Sequence, residues 1–463
     1  MITYIKINGF KSFHNFEMEF TPFTVIAGTN ASGKSNLFDA LKLLARLAEA
    51  DNLKKAFKEQ RGEFMELFTQ YSKDEFANEM EFCAEMLVSR EVKDAWGNIA
   101  QIKYTRLRYE LKIKHQTNAS GIEDLTLVYE HLENLKHHND EWIKLIPSNQ
   151  LEFWRPKVEK GRRGIPYIET KEENGRAVVL VPQDGVQGGN KRRFTLLNAT
   201  RTVLSSFDTI DFPHVLAAKE EMKSWRFLEL TPDDLRQPTN KNTGEDMLSQ
   251  SGKNLAAVLY RIKQDDQYSL VEISRKLQTF IPNFIHVDVI DDAENNQYLI
   301  KLTDKDKKEY TSRVLSEGTL RILALCILDY DYKHIGLLCF EEPENGIHPF
   351  RIKDIANLLK DLSTDFTNEN LPLRQVIVNT HSSVLVSHIF QWPNNNNVSI
   401  WYARLINRVT NVNNNTRVSL TITGITPVIK EHQTPLKLIF SEPEQKLTLK
   451  AVQEYLETTD NLF

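Results

Sequence analysis

The stretch from Val25 to Ala40, VIAGTNASGKSNLFDA, constrains this chain more than any other. Gly28, Gly33, Lys34 and Ser35 hold the defining positions of G-x-x-x-x-G-K-[ST]. At average residue usage the pattern arises in about 2% of chains this long, so chance is a weak explanation. Its context weakens chance further: an apolar run, FTVI, precedes it and a helical pattern, NLFDALKLLARLAEA, follows. Strand, glycine-rich loop and helix are what phosphate binding needs, because backbone N–H groups and the positive helix end wrap the phosphate oxygens. In such a loop Lys34 reaches the β and γ phosphates and the Ser35 hydroxyl ligates Mg2+. Asn30 and Asn36, within and just after the loop, are counted with the nucleotide-binding positions. The expected class is α/β, a P-loop NTPase.

The 463 residues suffice for two or three domains, or for one domain with large insertions. A net charge of −5 argues against a bulk positive field that would draw nucleic acid. Two short basic runs, EKGRRG (Glu159 to Gly164) and NKRRF (Asn190 to Phe194), read first as solvated loops. Cys83, Cys326 and Cys339 form neither a metal spacing nor a disulfide framework, which suits a reducing cytosol. The N-terminus lacks a signal-peptide apolar stretch, and no window reaches the ~18 apolar residues of a membrane span. A soluble, cytoplasmic protein with no membrane partner is expected.

Along the chain, residues 1–75 read as strands, phosphate loop and helix. From 76 to 194 the period turns to two: Leu107, Tyr109, Leu111 and Ile113 alternate with Arg108, Glu110, Lys112 and Lys114. This segment is expected to form a β-rich insertion or arm. Residues 195–283 return to the helical period, with Leu255, Val258, Leu259 and Ile262 on one face and Leu270, Ile273, Leu277 and Ile281 on another. They predict a helical insertion too short for a long coiled coil. Residues 284–400 alternate strand and helix in an α/β manner. Residues 401–463 read as an irregular tail, a candidate partner-binding region, with Asn runs as loop tips.

Three further stretches carry chemistry. In HIGLLCFEEPENGIHP (His334 to Pro349) an apolar strand ends in Glu341 and Glu342. Two carboxylates ending a core strand are costly unless neutralised, and Mg2+ held by Ser35 against phosphates would neutralise them. Glu341 would then sit by the metal, while Glu342 orients or deprotonates the attacking water. In VLSEGTLRILALCIL, Ser316 and Gly318 open an apolar helix, a second phosphate-binding device, although alone the pattern is simply a good helix cap. In RQVIVNTHSSVLV a buried strand delivers His381 at its carboxyl end, a candidate γ-phosphate sensor.

Taken in this order, the motifs resemble the ABC-type ATPase heads of the SMC, RecF and OLD class. LSEGTLR is similar to their signature motif, with Glu317 and Thr319 where many members have Gly and Gln. EEPENGIHP resembles their Walker B motif and D-loop, with Glu341 where SMC proteins carry Asp. INGFKSFHNFEMEF resembles their opening strand pair, and by that resemblance Lys11 approaches the nucleotide. The resemblance does not place the Q-loop glutamine, for which Gln60 is the candidate. The likeness implies a two-lobed head, ATP and Mg2+ as ligands, and Ser316 and Gly318 of one copy closing on ATP held by Lys34 of another. The working unit is then a head-to-head dimer or a higher homo-oligomer. Lys34 and Ser316 lie 282 residues apart, which matches this branch better than transporter subunits.

The first function this implies is a switch ATPase of bacterial anti-phage defence, similar to Septu- or PARIS-type ATPase subunits. It would hold or activate a separately encoded effector, a Toprim- or HNH-type nuclease, because the 82 residues after His381 lack the Asp-x-Asp acids of a Toprim fold. The alternative is a RecF-like clamp in DNA repair or maintenance, with DNA as the primary ligand. A degenerate head that binds ATP without turnover is the third reading, disfavoured by intact Lys34, Ser35, Glu342 and His381.

Overall fold

The computed structural model describes the chain except residues 74, 118–120, 122, 158–163, 185–190, 245–246, 370–371, 394, 413–415, 430–439 and 461–463. Most of the first basic run, Asn190 of the second, and Asn394 and Asn413 to Asn415 of the Asn runs therefore lie outside the described residues. In chain order the main elements are β1 (Ile2–Asn8), β2 (Phe16–Glu19), β3 (Phe23–Ala27) and α1 (Lys34–Glu49). Strands β4 (Glu79–Leu87), β5 (Arg106–Thr117) and β6 (Glu123–Asn134) precede α2 (Pro213–Lys223) and the short β7 (Arg226–Leu228). Then come α3 (Glu317–Tyr330), β8 (Gly336–Glu341), β9 (Arg374–Thr380) and α4 (Ser383–Gln391). The hairpin β10 (Val398–Val412) and β11 (Thr416–Pro427) and the helix α5 (Glu442–Asp460) close the described chain.

A six-stranded sheet in the order β7-β8-β9-β3-β10-β11 forms the centre, parallel except for the final hairpin pair. Its strands are apolar on both sides, as a sheet covered on both faces requires. Ile26, Leu337, Cys339, Ile377 and Trp401 point to one core. Their neighbours Val25, Leu338, Phe340, Val378 and Ile400 point to the other. Successive side chains leave a strand on opposite faces, so single strands feed two cores. Helix α1 lies in the first core, under a five-stranded antiparallel sheet ordered β6-β5-β4-β1-β2. The helices Leu255–Asp265 and Gln267–Phe280, with α3 and α4, pack in the second.

The α/β P-loop NTPase architecture is the one expected, but three boundaries shift. The β-rich segment 76–194 does not stand apart as an arm: β4 pairs directly with β1, extending the N-terminal hairpin into one sheet. The helical segment 195–283 contains β7, an edge strand of the central sheet beside β8. Three residues, Arg-Phe-Leu, are too short to display a period of two.

The largest correction concerns residues 401–463. Instead of an irregular tail they supply β10, which pairs parallel to β3, and β11 beyond it. The hairpin was hidden because its outer half carries Arg404, Asn407, Arg408 and Thr410, while its apolar stretch Ile400–Ala403 is short. Trp401 is 4% exposed within the first core. Trp401→Ala is expected to cost about 3–5 kcal/mol in a denaturant titration, as core tryptophan truncations do. A cost below about 0.5 kcal/mol would return this segment to the status of a surface tail.

Candidate functional site

The parallel strands deliver their carboxyl ends to one edge, where ligands bind in open α/β sheets. β3 runs into the phosphate loop, β8 into the acid pair and β9 into Thr380 and His381. The register sets Glu341 opposite Asn379 and Thr380 opposite Ala27. Three motifs far apart in sequence thus meet within adjacent strands.

In the loop, Asn30 is an exposed turn residue at the tip. Gly33 precedes α1 with φ 88°, a left-handed conformation that favours glycine. A Cβ there would lie 1.8 Å from Thr423 Oγ1 of β11. The loop is therefore backed by the C-terminal hairpin. Ser12 joins the two: its Oγ lies 2.7 Å from Thr423 Oγ1 and accepts from Asn36 Nδ2 at 2.8 Å. Lys34 folds back, its Nζ donating to the Gly28 and Thr29 carbonyls at 2.8 Å each. Burial pushes the Lys34 ammonium pKa down, against the pull of Glu342, Glu341 and Glu344.

Ser35 Oγ accepts from Asn379 Nδ2 at 3.3 Å and donates to Glu341. Burial raises the Glu341 pKa, opposed chiefly by Arg61, whose guanidinium is 3.7 Å from Glu341 Oε1. Glu342 has φ 46°, an unusual backbone for a residue with a side chain. That turn brings its Oε1 to 2.9 Å from His381 Nδ1, while Oε2 accepts from Asn345 Nδ2 at 2.7 Å. Glu344 is buried and bonded to the Thr380 hydroxyl, and burial raises its pKa too.

Gly28, Gly33, Lys34, Ser35, Glu341, Glu342 and His381 are therefore gathered at one sheet edge. Lys11 lies on the flank of α1 instead: its Nζ donates to Asp39 Oδ2 at 2.7 Å and to the Arg61 carbonyl at 3.1 Å. With Ser12, Asn36 and Arg61 it lines a groove of about 470 Å³. Ser316 and Gly318 begin α3 on the far side of the acid loop. Ser316 Oγ caps the helix by accepting from Thr319 N at 3.3 Å. A Cβ on Gly318 would lie 3.2 Å from the Gly346 carbonyl. Among the described residues neither is hydrogen bonded to the phosphate loop. The start of α3 is thus exposed, beside Val314, which is 68% exposed.

Gln60 is a correction. It is buried, with Nε2 3.5 Å from the Ala56 carbonyl, and its neighbour Arg61 is the residue that reaches Asp39 and Glu341. Arg61, Asp39, Asn379 and Thr423 escaped notice in the sequence because nothing local distinguishes them. Tyr455 of α5 also escaped; its hydroxyl donates to the His381 carbonyl. The second basic run is not a solvated loop. Lys191–Thr195 is a strand, the Arg192 guanidinium lies over Phe207 and Phe212, and Arg193 pairs with Glu173.

Among the described residues no helix is long and apolar enough to cross a membrane. A comparison with curated proteins finds no match. Among solved structures the chain is similar to the Smc head bound to the C-winged helix domain of ScpA, at 15% identity and a TM-score of 0.47, covering 92% of this chain and 98% of that one. It is similar also to an SMC head domain from Thermotoga maritima, at 13% identity and a TM-score of 0.38, covering 93% and 99%. A third is the Smc head domain with an extended coiled coil bound to the C-terminal domain of ScpA derived from Pyrococcus furiosus, at 13% and 0.40, covering 98% and 99%. The family model described as "AAA domain, putative AbiEii toxin, Type IV TA system" matches residues 23–387, a span that starts at β3 and ends in α4. The chain belongs to this AAA-domain family, with a P-loop ATPase fold.

Proposed function

We propose that the chain binds and hydrolyses ATP as an SMC/RecF/OLD-like switch. The observation that carries this reading is the Glu342–His381 contact of 2.9 Å, held at the sheet edge beside Lys34. An acid, a histidine and a lysine-bearing phosphate loop on three adjacent strands are the parts that phosphoryl transfer to water requires. Lys34 exchanges its two loop carbonyls for phosphate oxygens when ATP enters. Glu342 accepts a proton from the attacking water, and His381 orients Glu342 and senses the γ-phosphate. Gly28, Asn30, Gly33 and Asn36 shape the loop around the phosphates, and Lys11 contributes from the groove beside α1.

The oxygen donors fit Mg2+. Ser35 Oγ and the Glu341 carboxylate adjoin one another, and Asn379 Oδ1 beside them is buried without a hydrogen-bond partner among the described residues. Ser35 and Glu341 would hold the ion, in the sparse all-oxygen manner that Mg2+ prefers with phosphates. When bound, Mg2+ screens the phosphate charge.

Ser316 and Gly318 of a second copy complete the site, because their own chain leaves them facing outward. Ser316→Arg is then expected to lower ATPase activity about tenfold or more while nucleotide affinity stays within about threefold. ATPase activity that keeps its rate in this variant would refute the composite site. The closed dimer, or a higher homo-oligomer, is one state of a two-state equilibrium that a partner reads. We take that partner to be a separately encoded nuclease of Toprim or HNH type, in bacterial anti-phage defence. Glu342→Gln protein purified in ATP and Mg2+ with the products of neighbouring genes should carry a stoichiometric partner. Nuclease-sensitive DNA without a protein would replace this reading by the RecF-like clamp.

A further inference from the structure

A second pocket, of about 350 Å³, lies where the flank of α1 meets β7 and the loop through Gln250. Its α1 residues begin at Lys42, eight residues beyond Lys34 and so roughly 12 Å along the helix from the phosphate loop. Four cations line it, Lys42, Arg46, Lys223 and Arg226, against one carboxylate, Glu49. Two of the four are already satisfied by acids: Arg46 pairs with Glu59 at 2.7 Å, and Lys223 with Glu220 at 3.4 Å.

The other two are not. Among the described residues Lys42 has only the Gln250 amide oxygen, at 3.4 Å. Arg226 has, among the described residues, only the Met247 thioether sulfur, at 3.7 Å, a weak acceptor for a guanidinium. Among the described residues neither lies within ion-pair distance of a carboxylate. Arg226 Nε and Ser249 Oγ are in addition buried without a hydrogen-bond partner among the described residues. Burial pushes the pKa of both cations down, against the pull of the more distant carboxylates Glu49 on Arg226 and Asp39 and Glu59 on Lys42. A solvated basic face explains Lys223 well, but it does not explain a guanidinium held half inside. Arg226 cannot simply swing its backbone outward: β7 is locked to the acid strand, with Arg226 opposite Leu338 and Leu228 opposite Phe340.

We propose that this pocket binds a small phosphate-bearing anion, at a site separate from the phosphate loop. A planar guanidinium, an ammonium and a hydroxyl lining one cavity meet only long or weak acceptors, or none, among the described residues, and a phosphate group offers several charged acceptors at once. The bound group would bridge α1, which begins at the phosphate loop, and β7, which borders the strand ending in Glu341 and Glu342.

The test is equilibrium dialysis with radiolabelled inorganic phosphate and, separately, with AMP, on full-length Lys34→Ala protein, so that the phosphate loop is disabled. Saturable binding of one equivalent is expected, weakened about tenfold or more by Arg226→Gln and by Lys42→Gln. Tighter binding of AMP than of phosphate would identify an organic phosphate as the ligand, and equal binding would identify free phosphate. Absence of saturable binding to both probes overturns the proposal. Binding that neither substitution weakens overturns it equally. Lys42 is a half-exposed helix residue, so Lys42→Gln carries the test should Arg226→Gln fail to fold.

Discussion

Glu342→Gln is expected to lower the ATP turnover number by about two to four orders of magnitude, with ATP affinity within about threefold of the parent. The amide is nearly isosteric with the carboxylate and keeps hydrogen-bonding groups for Asn345 Nδ2 and His381 Nδ1, so the loop geometry should persist. What the amide lacks is the basicity to take a proton from water. Phosphate release measured at saturating ATP, beside a separate nucleotide-binding titration, distinguishes loss of chemistry from loss of binding. Gel filtration in ATP should meanwhile show more of the closed assembly than the parent does. Full turnover in the variant would remove Glu342 from the chemistry, and the functional reading would lose its main support.

Lys34→Ala is expected to weaken ATP binding about a hundredfold or more. Charge-assisted hydrogen bonds contribute roughly 1.5–3 kcal/mol each, and Lys34 would make them to two phosphates. The same change leaves the Gly28 and Thr29 carbonyls without their present donor, so the empty loop also loses an internal clasp. A thermal melt without nucleotide reports that second effect, and titration with a fluorescent ATP analogue reports the first. The two must be separated, because a loop that merely loosened would bind weakly without Lys34 ever having touched phosphate. Lys34→Met, which restores the buried stem but not the charge, makes the distinction. Tight ATP binding retained by Lys34→Met would remove Lys34 from phosphate recognition.

Much of the site was legible because its parts are local. A strand, a glycine-rich turn and a helix need only contiguous backbone geometry, so Gly28 to Ser35 could be read directly. Glu341 and Glu342 stood out because a core strand rarely ends in two charges, and His381 because it ends another. Arg61 was invisible, since an arginine after a glutamine in a polar segment has no pattern; only the packing of its loop against α1 brings it to Asp39 and Glu341. Asn379 likewise reads as one more strand residue until parallel pairing sets it beside Ser35.

The sequence alone determined the class of the fold, the phosphate loop and the acid-ended and histidine-ended strands, because each is encoded within a dozen residues by steric and polar preferences of the backbone. Tertiary structure decided what surrounds them. β10 and β11 became strands of the main sheet rather than a tail because β3 had an open edge, and its hydrogen-bonding groups were best satisfied by β10. The short β7 became the opposite edge, outside the acid strand, which carried Arg226 into a half-buried pocket. Pairings of this kind join residues hundreds of positions apart. They are chosen by which buried edge needs a partner, and no window of sequence contains that information.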